Sequence, residues 1–139
     1  MTQLIPEVAT FLESMKVPGV LSTIGRDGGP VTSAVWYALV DGQIVISTPA
    51  QRPKARNARQ HPLVSFVVDT KAMPYRGVAI EGTAEVIDDP AKAVMELIAH
   101  RYLGPQLPEA MRDRIASNDR VIIRIEPQRV RPWNLVPPP

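Results

Sequence analysis

Cysteine is absent from the chain. That excludes disulfides, thiolate nucleophiles and Cys-ligated zinc or iron–sulfur centres. Histidine is scarce: His61 and His100 are the two, and they fall in different elements. Neither H-x-x-x-H nor H-E-x-x-H spacing occurs, so they read as solvated or capping residues and no metal site is expected. Net charge is also small, at +2. A protein that binds nucleic acid mainly by charge is usually more basic. No apolar run approaches a membrane span, and "MTQLIPEVATFLES" lacks a basic region followed by an apolar one. The expectation is a cytoplasmic, reduced protein with neither nucleic acid nor membrane as partner. A G-x-S-x-G serine elbow is missing. "GRDGGP" is turn chemistry leading into a strand, and it is not the G-x-G-x-x-G dinucleotide fingerprint.

What is present is a globular composition. Hydrophobic residues make up 45% of 139, enough for one domain with a real core. In "PEVATFLESM", Val8, Phe11, Leu12 and Met15 recur at helical spacing behind Pro6 and Glu7. "GVLSTIG", "VTSAVWYALV" and "QIVIST" read as three strands, the last two joined by the hairpin signal Asp41-Gly42. A short helix is predicted from Pro53 to Gln60. "PLVSFVVD" and "RGVAIEGTAEVID" follow as strands, with Gly82 marking a bulge or bend. Asp88-Asp89-Pro90 caps a helix whose inner face is expected to carry Val94, Leu97, Ile98 and Tyr102. "PEAMRDRIAS" is a further helix and "RVIIRIEPQRV" the last strand. Residues 131–139 read as a proline-rich tail. The fold class expected is mainly β (α+β): a six-stranded antiparallel barrel with flanking helices, residues 1–139 forming one domain.

One stretch stands out. "STPAQRPKARNARQHP" carries Arg52, Lys54, Arg56 and Arg59, and no Asp or Glu lies between Asp41 and Asp69. Ser47 and Thr48 end a strand there. The following helix offers unpaired N–H groups and the positive end of its dipole to an anion. Like charges repel, and helix stability does not require four of them. Three readings stay open on physical grounds: an anion site, a solvated basic face, and a nucleic-acid patch. Trp36 and Tyr37 point to opposite faces of a strand, and core or dimer packing suits them better than ligand contact.

The chain resembles the pyridoxamine 5′-phosphate oxidase-like split β-barrel family of flavin and deazaflavin proteins. Within it, the likeness is to the small actinobacterial reductases that use coenzyme F420. It rests on "GVLSTIGRDGGPVTSAVWYAL", "STPAQRPKARNARQHPLVSFVV" and "YRGVAIEGTAEVIDD", the second being the most specific. The resemblance implies that Ser47, Thr48 and the next helix hold the cofactor phosphate. Lys54 matches the phosphate-binding lysine; Arg52, Arg56 and Asn57 are its helpers. Thr32, Ser33 and Ala34 would lie against the ring. Tyr75 and Arg76 occupy a loop that approaches cofactor or substrate in such proteins. No catalytic residue is identified, because a reduced flavin or deazaflavin supplies the hydride itself. The implied function is an F420H2-dependent reductase of an electron-poor acceptor such as an enone, quinone or tetrapyrrole-like compound. The alternatives are an FMN-dependent reductase or oxidase, or a non-catalytic F420 carrier. A homodimer is implied, with the tail lying across the partner subunit.

Overall fold

The computed structural model describes residues 4–135. α1 (Pro6–Ser14) precedes β1 (Gly19–Ile24), β2 (Pro30–Val35), β3 (Ala38–Val40) and β4 (Gln43–Pro49). α2 (Pro53–Gln60), β5 (Leu63–Asp69) and β6 (Gly77–Asp88) follow, then α3 (Ala93–Leu103), α4 (Glu109–Ser117) and β7 (Arg120–Trp133). The strands form one sheet in the order β2-β1-β5-β6-β7-β4-β3, and every described pairing is antiparallel.

That order closes the sheet. β2 and β3 stand at opposite ends of it, yet only Trp36 and Tyr37 separate them in sequence. In a flat sheet the outer strands would lie roughly 29 Å apart, at about 4.8 Å per strand. The three Cα steps from Val35 to Ala38 reach at most ~11 Å. The sheet must therefore curl until its edges meet, which is the split-barrel arrangement. The count is seven strands and not six, because the stretch expected as one strand, "VTSAVWYALV", divides at Trp36-Tyr37. Its first half pairs with β1 and its second with β4.

Alternation fills the barrel. Leu21, Phe66, Val68, Ile80, Ile123 and Ile125 point inward from four strands. Val8, Phe11 and Leu12 of α1 join the same cluster and close one opening. Each such side chain contributes about 1.5–3 kcal/mol on full burial. Tyr37 is the junction: its hydroxyl donates to the Leu12 carbonyl at 2.6 Å and to that of Met15 at 3.2 Å. Burial raises its pKa above the ordinary tyrosine value, so the hydroxyl stays a donor. The hairpin at Asp41-Gly42 has positive φ at both residues, 52° and 76°. At Gly82 the β6–β7 register shifts, and a Cβ there would overlap the Glu126 carbonyl oxygen. The bulge read from sequence is thus a close backbone approach.

Two expectations need correction. On α3 the buried positions are Met95, Ile98 and Ala99, while Leu97 is exposed. The helix turns that face to α4 and to β3–β4, through Ile115 and through Ala38 and Val45. Arg131–Trp133 are not tail, because β7 continues to pair with β6 as far as Trp133 opposite Gly77. Proline is tolerated at 132 because β4 accompanies β7 only over 120–125, leaving that later edge open. Residues 136–139, the rest of the expected tail, lie outside the described residues. Among the described residues no helix is long and apolar enough to cross a membrane.

Candidate functional site

A cleft of about 680 Å³ opens where the end of β4, the start of α2, α3, α4 and the start of β7 meet. The sequence builds it in steps. β4 ends at Pro49, which lies opposite Arg120 of β7. The chain then turns, with Arg52 N–H donating to the Pro49 carbonyl at 3.1 Å and Ala50 N–H to that of Asp119 at 2.9 Å. Arg52 takes the N-cap position in extended conformation, and Pro53 opens α2. No side chain caps this helix, and its first turn holds no acid. Its N-terminal N–H groups and dipole therefore lack the usual carboxylate or hydroxyl partner.

The walls are cationic. Arg52 and Lys54 line one side, Arg114 and Arg120 the other, and the lining includes no Asp or Glu. None of the four takes part in an ion pair among the described residues. Burial lowers the pKa of Lys54, and the neighbouring Arg52 charge lowers it further. Arg120 is also pushed down, first by burial and then by Arg114 and Arg52. It is 9% exposed, and its Nε has no hydrogen-bond partner among the described residues. Ser47 Oγ lacks one as well. Buried polar groups are normally paired, so Ser47 and Arg120 leave bonding capacity open beside the cleft.

The remaining wall is apolar. Val35, Trp36, Met95 and Met111 line it. Trp36 stacks on Tyr102, centroids 4.7 Å apart and planes at 11°. The Tyr102 hydroxyl in turn donates to the Val17 carbonyl at 3.0 Å, which holds the stack in place.

Of the residues singled out in the sequence, Ala34, Ser47, Thr48, Arg52 and Lys54 come together here. The others do not line the cleft. Thr32 Oγ1 meets Ser22 Oγ at 3.1 Å on the β1 side, and Ser33 is half-buried on the same strand. Asn57 is 2% exposed and donates to Thr23 Oγ1 at 3.2 Å, tying α2 to β1. Arg56 Nε is unpartnered like that of Arg120, but Arg56 is not a cleft residue. Arg59 faces Asp88 at 4.0 Å. Tyr75 and Arg76 are exposed in the loop at the Gly77–Trp133 end of β7, opposite the Arg120 end. Trp36, read as packing, packs against the α3 clusters and Tyr102 and also lines the cleft, whereas Tyr37 is core. Arg114, Asn118 and Arg120 were not anticipated. The only sequence signal for Arg120 is a charged residue opening an apolar strand. Its pairing with Pro49 is a long-range fact.

A curled antiparallel sheet with a cationic cleft beside strand β2 defines a small split barrel. The family model of pyridoxamine 5′-phosphate oxidase matches residues 4–134, and the chain belongs to that family, which contains oxidoreductases and binders of flavins or F420. A conserved hypothetical protein of Mycobacterium tuberculosis is 35% identical, with TM-score 0.81 over 97% of this chain and 87% of that one. A structure described as an F420 reductase is 30% identical, with TM-score 0.74 over 91% of this chain and 98% of that one. A heme storage protein of Vibrio cholerae shares the fold at 17% identity, with TM-score 0.69 over 93% of this chain and 94% of that one. No curated protein matches the chain.

The residues present fit a phosphate-bearing flavin or deazaflavin. The unpartnered cations suit its phosphate. The small Ala34 and the outer edge of β2 suit close approach of a flat ring to the backbone.

Proposed function

We propose that this protein is an F420H2-dependent reductase of an electron-poor organic acceptor. The observation that carries the reading is the cleft's cationic end, where Arg52 and Lys54 flank an uncapped helix N-terminus and no carboxylate balances them. The 30% likeness to an F420 reductase supports it. A bound reduced deazaflavin supplies the hydride.

The chain's own residues would do the rest. Arg52 and Lys54 would hold the phosphate by charge-assisted hydrogen bonds, and Thr48 and Ser47 would border it from the strand. Arg114 and Arg120 add positive charge beyond what one phosphate requires, which favours F420, with its phosphodiester and glutamate carboxylates, over FMN. Trp36, Met95 and Met111 would keep water from the reacting face. No carboxylate or histidine lines the cleft, which suits a reaction in which the acceptor is protonated from solvent after hydride arrives.

The test is turnover: loss of F420H2 absorbance in the presence of a panel of enones and quinones. Oxidation that depends on acceptor and falls in Lys54→Ala supports the reading. Tight F420 binding without turnover on any acceptor replaces it with a carrier role. The proposal includes a cytoplasmic homodimer, and light scattering at micromolar concentration should return twice the chain mass.

A further inference from the structure

Arg120 is the most buried charge in the cleft, and its burial needs a reason. The residue is 9% exposed, and its Nε has no acceptor among the described residues. It lines the same cleft as Lys54 but comes from the start of β7, with Arg114 and Asn118 of the α4 side near it. A buried donor without an acceptor is costly, and an anion in the cleft would supply one.

We propose that Arg120, with Arg114, forms a second anion seat on the α4–β7 side of the cleft, beside the seat at the α2 N-terminus, and that it takes a second acidic group of the bound ligand. The inference rests on the reading of the cleft as the cofactor site. The two seats stand on different elements, one on the turn into α2 and one on the α4–β7 wall. Arg120 lies opposite Pro49 in the β4–β7 ladder, beside the turn that carries Arg52. A ligand with one anionic group fills one seat; a ligand with two fills both. The shared chemistry is a second phosphate or a carboxylate, which either the cofactor or the acceptor could carry.

Thermal melts of the apo-protein test this without any cofactor. Wild type, Arg120→Met, Arg120→Lys and Lys54→Ala are melted alone, with inorganic phosphate, and with pyrophosphate. Arg120→Met keeps the side-chain volume and removes the buried charge, so its apo midpoint should rise by about 3–5 °C. Wild type should gain more from pyrophosphate than from phosphate. Arg120→Met should lose that extra gain and keep the response to phosphate; Lys54→Ala should lose the response to phosphate. Arg120→Lys should keep part of the gain, since it keeps the charge without the fork. A full pyrophosphate increment in Arg120→Met, or an apo midpoint no higher than wild type, overturns the second seat. Equal loss of the phosphate response in Arg120→Met and Lys54→Ala means one shared seat and overturns it too. Failure of F420 to bind wild type would sink the proposed function and leave these melts readable.

Titrations then distinguish the two sources. A loss of about tenfold for F420 in Arg120→Met, with FMN unchanged, places the second acid on the cofactor. Unchanged affinity for both, with a raised KM for acid-bearing acceptors relative to their esters, places it on the acceptor.

Discussion

Arg101 and Arg120 both lack a carboxylate partner among the described residues, and they are handled in opposite ways. Arg101 on α3 donates from Nε to the Tyr37 carbonyl at 2.9 Å, from one terminal nitrogen to that of Glu13 at 2.8 Å, and from the other to those of Leu12 and Met15, both at 2.9 Å. Its guanidinium also lies 4.9 Å from the Tyr37 ring centroid and 5.3 Å from that of Tyr102. The carbonyls at the end of α1 are the negative pole of that helix. Arg120 Nε has no such partner among the described residues. One guanidinium is consumed by the fold, fixing α1 and α3 to the β2–β3 junction. The other is left with unused bonding capacity beside a cleft. The contrast teaches that a positive charge marks a ligand site only where the fold has not already satisfied it.

Mutations can sharpen that contrast, and the largest effect should fall on the satisfied arginine. Arg101→Met removes a donor from four backbone carbonyls, those of Leu12 and Met15 keeping the Tyr37 hydroxyl, and frees α1 from α3. It should cost about 3 kcal/mol of stability, lowering the melting midpoint by about 10 °C, with cofactor affinity per folded molecule unchanged. A midpoint within 2 °C of wild type, as ordinary surface changes give, would erase the distinction.

On the cleft side, Lys54→Ala should leave the midpoint nearly unchanged while weakening cofactor binding about tenfold, the scale of one charge-assisted hydrogen bond to phosphate. A fluorescence titration checks it, and an unchanged Kd would remove Lys54 from the site. The same residue predicts a pH dependence. Burial and Arg52 lower its pKa, so in the free protein it loses its charge at a lower pH than an ordinary lysine. Anion affinity should therefore fall as pH rises through that lowered value. In Lys54→Arg, which stays charged, the fall should disappear. A bound anion pulls the pKa back up, so the fall should span a wider pH range and be larger in total for the ligand that raises it more.

The smallest effect belongs to Arg59. It already faces Asp88, both groups being solvent-exposed, and such pairs contribute about 0–1 kcal/mol. Arg59→Ala should change cofactor affinity by less than about threefold. Isothermal titration beside Lys54→Ala would show a problem at once if the two lost equally.

These residues also show how far the sequence could be read. α2 and its basic run were legible because proline, helical spacing and the absence of acid are local signals, and the helix has the bounds expected, Pro53–Gln60. The division among its residues was not. Arg56 and Asn57 share the run but not the cleft, because α2 turns Ala55, Asn57 and Ala58 toward the barrel. The β2–β3 break was hidden for a related reason: Trp36 and Tyr37 favour strand conformation, and only barrel closure requires the chain to change neighbours there. Arg114 and Arg120 lie far along the chain from Lys54. What joins them is the pairing of β4 with β7, which no local pattern encodes.

The central claim is that the cleft's unbalanced charge is matched to a ligand more anionic than one phosphate. Titration of the wild-type protein with F420 and with FMN, each at low and at high ionic strength, tests it most directly. F420 should bind more tightly at low salt, more so with a longer glutamate tail, and the gap should narrow as salt screens the exposed Arg52 and Arg114. Tighter FMN binding at both ionic strengths would contradict the account.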